Sequence, residues 1–229
     1  MHPKALTVYK SPYAKKRIGK DNDGGYVIVE IPNVQYNLLL AGGIKNDISF
    51  EEAFSSIYGS RCVAFDGTIN NLPKLNTNIE FVKKNIGAGN TDTLTNLHEY
   101  IDINEKIFVK MDIEGGEIPW IKSLSDTQMY KFEQIVIEFH KPYTKKKEDG
   151  IFAKMNKHHV LVHFHPNNCC GTRIYKGVVM PNIFECTYLH KKYFVNEPKL
   201  NTDPVPSEID MQNIKEKKEI ILNHPPFVN

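Results

Sequence analysis

The chain has 229 residues, 41% hydrophobic and 24% charged, with a formal net charge of +2. That length and composition predict one soluble domain with extensions, able to bury a full core without disulfides or a structural metal. A charge so near zero gives no reason to expect a nucleic-acid partner, and no stretch is apolar for long enough to predict membrane insertion.

The opening residues, MHPKALTVYKSPYAKKR, lack the apolar segment of a secretory leader. Cys62, Cys169, Cys170 and Cys186 show no CxxC spacing and are expected to be reduced thiols. A cytoplasmic protein is the expectation.

In chain order, RIGKDNDGGYVIVE sets Asp21, Asp23, Gly24 and Gly25 in a turn before a first strand, Tyr26–Ile31. Such a turn is often only a connection, and it can also fold over a neighbouring site as a lid. A second strand, Asn37–Ala41, runs into Gly42 and Gly43 and then into SFEEAFSSIYG. Here Ser49 and Glu52 have capping-box spacing and Gly59 supplies a stop. Glycines followed by a helix N-terminus suit close approach to an anionic ligand, and they suit a plain strand-to-helix turn equally. The spacing is not GxGxxG.

Further strands are predicted at Arg61–Phe65, Ile79–Lys83, Lys106–Met111, Gln134–Phe139, Val160–Phe164 and Phe184–Leu189. Weaker helical segments are TLTNLHEYI, the residues around IPWIKSL, and EDGIFAKMNKH. Apolar runs alternating with amphipathic segments predict βαβ units and a largely parallel sheet. CCGTRIYKGVVMPN, a loop or short hairpin, separates the last two strands, so the final strand is expected to pair antiparallel at or near an edge. Beyond Asn196 the chain reads as a Pro-rich tail followed by a short charged helix, IDMQNIKEKKEIIL.

Candidate chemistry gathers at strand ends. Asp66 follows the Arg61–Phe65 strand, where an acid can accept both hydroxyls of a ribose, and no phosphate cradle accompanies it. Asp112 and Glu114 end one buried strand, two residues apart and so able to face the same side. Glu138 and His140 end the next in the same way. His163 and His165, then Asn167 and Asn168, end a third. Together they predict a polar floor at one sheet edge. Either His140 or Asp112 acts there as general base, or Asp112, Glu138 and His140 hold a divalent metal such as Mg or Mn. A metal pair at His163 and His165 is a further alternative. Glu117 reads as a favourable charge in the first turn of the next helix.

Taken in order, DNDGGYV, AGGIKNDISFEEAF, CVAFDGT, FVKMDIEGGE, IVIEFH, FHPNN and NIFECTYL resemble the FkbM-like branch of class I S-adenosylmethionine methyltransferases, over about residues 17 to 194. The resemblance implies a Rossmann-like, doubly wound, mostly parallel seven-stranded sheet with an antiparallel strand near the end. It implies a methyltransferase domain over residues 1–195, with 1–30 as extension and lid, and a tail over 196–229. The cofactor residues it implies are Asp23, Gly24, Gly25, Tyr26, Ala41, Gly42, Gly43, Asp47, Asp66, Gly67, Ile86, Gly87 and Asp112, with the ribose at Asp66 and the adenine near Asn85–Gly87. The implied activity is O-methylation of a sugar or glycan hydroxyl, with Asp112, Glu138 and His140 catalytic. Glu114, His165, Asn167 and Asn168 are then expected on the acceptor. Two other classes stand beside it: a non-catalytic binding module on the same fold, and a metal-dependent hydrolase using the acid and histidine floor.

Overall fold

The computed structural model describes residues 3–143 and 150–229. A two-stranded ribbon, β1 (Lys15–Ile18) and β2 (Tyr26–Val29), opens the chain, followed by β3 (Leu38–Gly42), α1 (Ser49–Tyr58), β4 (Arg61–Phe65) and β5 (Ile79–Val82). Short β6 (Asn85–Ile86) and β7 (Leu94–Thr95) lead to α2 (His98–Asp102) and β8 (Ile107–Met111). Next come α3 (Glu117–Ser123), α4 (Asp126–Tyr130), β9 (Phe132–His140), α5 (Ile151–His158) and β10 (His159–Pro166). A hairpin of β11 (Thr172–Tyr175) and β12 (Val178–Pro181) precedes β13 (Ile183–His190). Glu148 and Asp149, at the head of the predicted EDGIFAKMNKH helix, lie outside the described residues.

Seven strands form one sheet in the order β10-β13-β9-β8-β3-β4-β5. The pairs among β9, β8, β3, β4 and β5 are parallel, whereas β13 is antiparallel to both β9 and β10. Seven of the eight predicted strands form this sheet, and the reversed strand lies one place in from the edge. The predicted Tyr26–Ile31 strand ends at Val29 and belongs to the separate ribbon.

Central strands read as nearly continuous apolar runs because both faces are covered. Alternate residues of β3 and β8 divide cleanly: Leu38, Leu40, Val109 and Met111 join one core, and Leu39, Ala41 and Phe108 the other. The first core is covered by residues of α2 to α5, including Ile101, Trp120, Met129 and Phe152. The second is covered by α1 and the ribbon, through Phe50, Phe54, Tyr26 and Ile28. Each fully buried leucine or phenylalanine contributes about 2 kcal/mol. The architecture is mixed α/β, with one helix and a ribbon on one face and four short helices on the other.

The ribbon is fastened by one buried side chain. Gln134 of β9 accepts the Val29 N–H at 2.6 Å and donates to the Val29 carbonyl and the Tyr36 hydroxyl, both at 3.1 Å. An amide side chain thus supplies the donor and acceptor that a neighbouring strand would offer.

Two predicted features do not form. Ser49 and Glu52 make no capping box: Asp47, two residues upstream, accepts the Ser49 N–H at 3.2 Å and the Ser49 hydroxyl at 2.9 Å. Glu52 turns instead to Asn76 and Lys74. A true capping box joins Ser125 and Gln128 at α4. Gly59 does stop α1, in the left-handed conformation. IDMQNIKEKKEIIL is not helical. The backbone groups a helix would need are committed elsewhere: Ile214 N–H to Asn168 Oδ1, the Ile214 and Lys217 carbonyls to Asn168 Nδ2, and Leu222 N–H to the Val205 carbonyl. The tail packs on the domain, with Val205, Leu222 and Phe227 buried in the first core. No helix among the described residues is long and apolar enough to cross a membrane.

Candidate functional site

A pocket of about 150 Å3 opens at the C-terminal ends of β3, β4 and β8. Its walls include Asp66, Asn85, Ile86, Asp112 and Glu114. A smaller recess beside it, about 50 Å3, is bounded by Asp23, Gly24, Tyr26, Asp47 and Lys110 and shares Gly43, Lys45 and Asp112 with the first.

Gly43 follows the end of β3, beside the end of its parallel neighbour β8. Its φ is +78°, and a Cβ there would stand 1.7 Å from the Asp112 carbonyl oxygen. The Asp112 N–H in turn donates to the Gly42 carbonyl at 3.0 Å. The two glycines therefore serve backbone-to-backbone packing that fixes Asp112 against the turn.

Asp66 is buried and fully engaged. Oδ2 accepts the N–H groups of Ile44 and Lys45, and Oδ1 accepts the N–H and hydroxyl of Thr68. Burial raises its pKa, but these bonds outweigh it and hold the carboxyl below its ordinary range. Gly67 leaves room for the Asn85 side chain, which a Cβ would meet at 2.6 Å. Gly87 donates to the Thr95 carbonyl beside Ile86.

The DNDGG loop lies over the start of α1. Lys20 N–H donates to Ser49 Oγ at 2.8 Å, and the Lys20 ammonium stands 3.8 Å from Asp47. Gly25 has the Arg17 guanidinium and the Lys20 carbonyl so close that a Cβ would meet both at 2.3 Å. From β2, Tyr26 donates its hydroxyl to Asp112 Oδ2 at 3.1 Å. Asp112 Oδ1 is buried and has no hydrogen-bond partner.

His140 occupies a cage of four carboxylates. Its Nδ1 lies 3.0 Å from Glu117 Oε1, and its Nε2 lies 3.1 Å from Glu138 Oε1, 3.2 Å from Glu114 Oε2 and 3.8 Å from Asp112 Oδ1. Burial lowers its pKa, but hydrogen bonds to Glu117 and Glu138 outweigh this and carry it up to about 10. A raised pKa favours the protonated imidazole, whereas a general base must arrive without its proton, so these surroundings suit Asp112 to that role better than His140. Burial raises the pKa of Asp112 and takes Glu138 to about 7.

The predicted metal set is also redrawn. Asp112, Glu114 and His140 each bring one ligand atom within 4.8 Å of the other two. Glu138 approaches His140 but falls outside that trio. No comparable group of three or more forms around His163 and His165 among the described residues. Each of these histidines has its own acid: His163 Nε2–H donates to Asp210 at 2.8 Å, and His165 Nδ1–H to Glu185 at 3.2 Å.

The predicted acceptor floor at His165, Asn167 and Asn168 is not an open surface. All three are buried, and the tail covers two of them. Asn168 holds Ile214 and Lys217, while Glu219 stands 3.8 Å from His165. Asn167 donates to Glu138 Oε2 at 3.0 Å. Of the expected acceptor residues, only Glu114 lines the pocket.

Three site residues escape sequence reasoning. Lys110, buried beneath Tyr26, donates to the Gly43 carbonyl at 2.8 Å and stands 3.6 Å from Glu51, itself buried. A charged residue inside the apolar run IFVKM is the signal for Lys110, and Glu51 has none. Glu117 does open α3, but it also accepts the N–H groups of Ile113 and Gly115, both at 3.2 Å, and thereby shapes the DIEGG turn. Compared with known families and curated proteins, the chain matches no family model and no curated sequence.

Proposed function

We propose that the chain is an S-adenosylmethionine-dependent O-methyltransferase acting on a sugar or glycan hydroxyl, built on a Rossmann-like doubly wound sheet. The observation that carries this reading is the pocket where β3, β4 and β8 end, with Asp66, Asn85, Ile86 and Asp112 on one wall system. Open α/β sheets bind ligands at this edge, where neighbouring strands leave in different directions. Supporting it, the seven strands counted along the chain lie in the order 3-2-1-4-5-7-6 with the last one reversed.

The residues suit the cofactor. Phe65, Ile86 and Ile113 offer apolar walls for an adenine, and Asp66 and Asn85 offer polar atoms beside them. A ribose at Asp66 displaces the Thr68 hydroxyl from Oδ1, a rotation about one side-chain bond. Bound there, the cofactor supplies an activated methyl group.

Within this reading Asp112 is the acid that manages the acceptor proton. It borders both recesses, its Oδ1 carries no hydrogen bond, and Tyr26 fixes the other oxygen. His140 then acts as a positioning residue, its ring nitrogens lying 3.0–3.2 Å from Glu117, Glu138 and Glu114. Catalysis rests mainly on alignment, since the methyl donor is already activated.

Calorimetry with S-adenosylhomocysteine tests the reading directly, and no heat of binding at high micromolar ligand would sink it. Transfer of a labelled methyl group to a glycan panel tests the reaction. Asp112→Asn should abolish transfer and spare cofactor binding, whereas a variant that still turns over normally removes Asp112 from the mechanism.

A further inference from the structure

We infer that Asp112, Glu114 and His140 form a binding site for one hard divalent cation of the Mg2+/Mn2+ class. His140 Nε2 faces Glu114 Oε2 at 3.2 Å and Asp112 Oδ1 at 3.8 Å, and these ligand atoms all lie within 4.8 Å of one another. Ligands on adjacent corners of an octahedral cation with bonds of about 2.1 Å are separated by about 3 Å. The trio needs only small side-chain adjustments to reach that spacing.

Two features point to a cation. Asp112 Oδ1 is a buried carboxylate oxygen with no hydrogen-bond partner, and it faces the imidazole nitrogen. Glu117 holds the opposite ring nitrogen at 3.0 Å, the carboxylate–histidine pairing that orients metal-binding imidazoles and raises their basicity. A cation takes the place of the proton that His140 Nε2 otherwise shares with Glu138, 3.1 Å away.

Donor chemistry selects the metal. Two carboxylates and one imidazole favour a hard cation that tolerates nitrogen, and the absence of thiolate disfavours soft ions. An octahedral cation held by these three atoms would have three further positions for water or an oxygen of a ligand. On the methyl-transfer reading one corner takes the acceptor hydroxyl and lowers its pKa, but the site itself stands on the trio's geometry and not on that reading.

The test uses the full chain, stripped with chelator and titrated with Mn2+ alone, with free ion followed by electron paramagnetic resonance. One saturable Mn2+ per chain is expected. Glu117→Gln, which touches no metal, should weaken binding roughly 10–100-fold. Glu114→Gln, at an exposed and therefore fold-tolerant position, should weaken it at least about tenfold and leave circular dichroism unchanged. No saturable site below roughly 1 mM Mn2+ overturns the inference. So does equal binding by wild type, Glu114→Gln and His140→Gln. Because cofactor is absent from the titration, failure of S-adenosylhomocysteine to bind overturns the methyl-transfer reading alone, and failure of Mn2+ to saturate overturns this site alone.

Discussion

One oxygen of Asp66 accepts the Lys45 N–H at 2.8 Å, so the end of β4 and the turn after β3 are fastened through a single carboxylate. The same oxygen takes the Ile44 N–H, and the other takes Thr68. Removing the carboxylate strands several backbone donors at once. Asp66→Ala should therefore cost about 2–4 kcal/mol in chemical denaturation, against about 1 kcal/mol for Thr68→Ala, which keeps the backbone contacts. Equal losses in the two variants would show that Asp66 does not organise this turn.

Gly43 and Gly59 both have positive φ, but only Gly43 has backbone in the way. Gly59→Ala should cost about 1 kcal/mol, the ordinary penalty for a left-handed alanine. Gly43→Ala adds a clash with the Asp112 carbonyl and should cost upward of about 3 kcal/mol or prevent folding. Thermal melts of both variants decide the matter, and similar melting temperatures would contradict the close approach of Gly43 to the Asp112 carbonyl.

Gln134→Leu keeps the volume but removes three hydrogen bonds that fasten the ribbon. Leaving the Val29 N–H and carbonyl unpaired should cost about 2–4 kcal/mol. Hydrogen exchange should accelerate at the β1 and β2 amides well before those of β8. Uniform acceleration across both regions would mean that the ribbon and sheet open as one unit.

Acid should destabilise the fold through His159 and His190. His159 is buried, donates Nε2–H to the Phe132 carbonyl at 2.7 Å, and burial pulls its pKa from 6.5 to about 3. His190 accepts the Lys192 N–H on Nδ1, and burial brings its pKa to about 4. Both are less basic folded than unfolded. Their contribution is therefore complete above pH 6.5 and is lost as pH falls toward the folded values. At pH 5 the His159 share of that loss is about 2 kcal/mol. His159→Gln keeps a donor and cannot titrate, so its unfolding free energy should fall less steeply between pH 6.5 and 4.5. An unchanged slope would argue against a neutral buried His159.

The sheet was legible because its strands are buried on both faces: LLLA and IVI are apolar without interruption and cannot be exposed on either side. Lys15–Ile18 was not legible, since KKRI is half-exposed edge ribbon whose partner, not composition, makes it a strand. The tail misled for a related reason. IDMQNIKEKKEIIL has helical composition, but Asn168, some 46 residues upstream, takes its backbone groups, and no local pattern records that. At the site, the acids and His140 were visible at their strand ends, yet the charge on His140 was not. It depends on Glu117, which local spacing presents as a helix-start residue and the fold turns toward the imidazole.

The Asn22 side chain donates to the Gln212 carbonyl at 2.8 Å across 190 positions of sequence. Asn22 belongs to the loop that lies over the start of α1, and Gln212 to the segment that covers His165 and Asn168. During synthesis the strands and Asp112 can assemble before residue 212 emerges, but the Asn22 contact cannot form. Such distant contacts form late, because long loops must be ordered before the contact returns any energy. A nascent chain stalled short of that point would carry the DNDGG loop without the tail segment that tethers it.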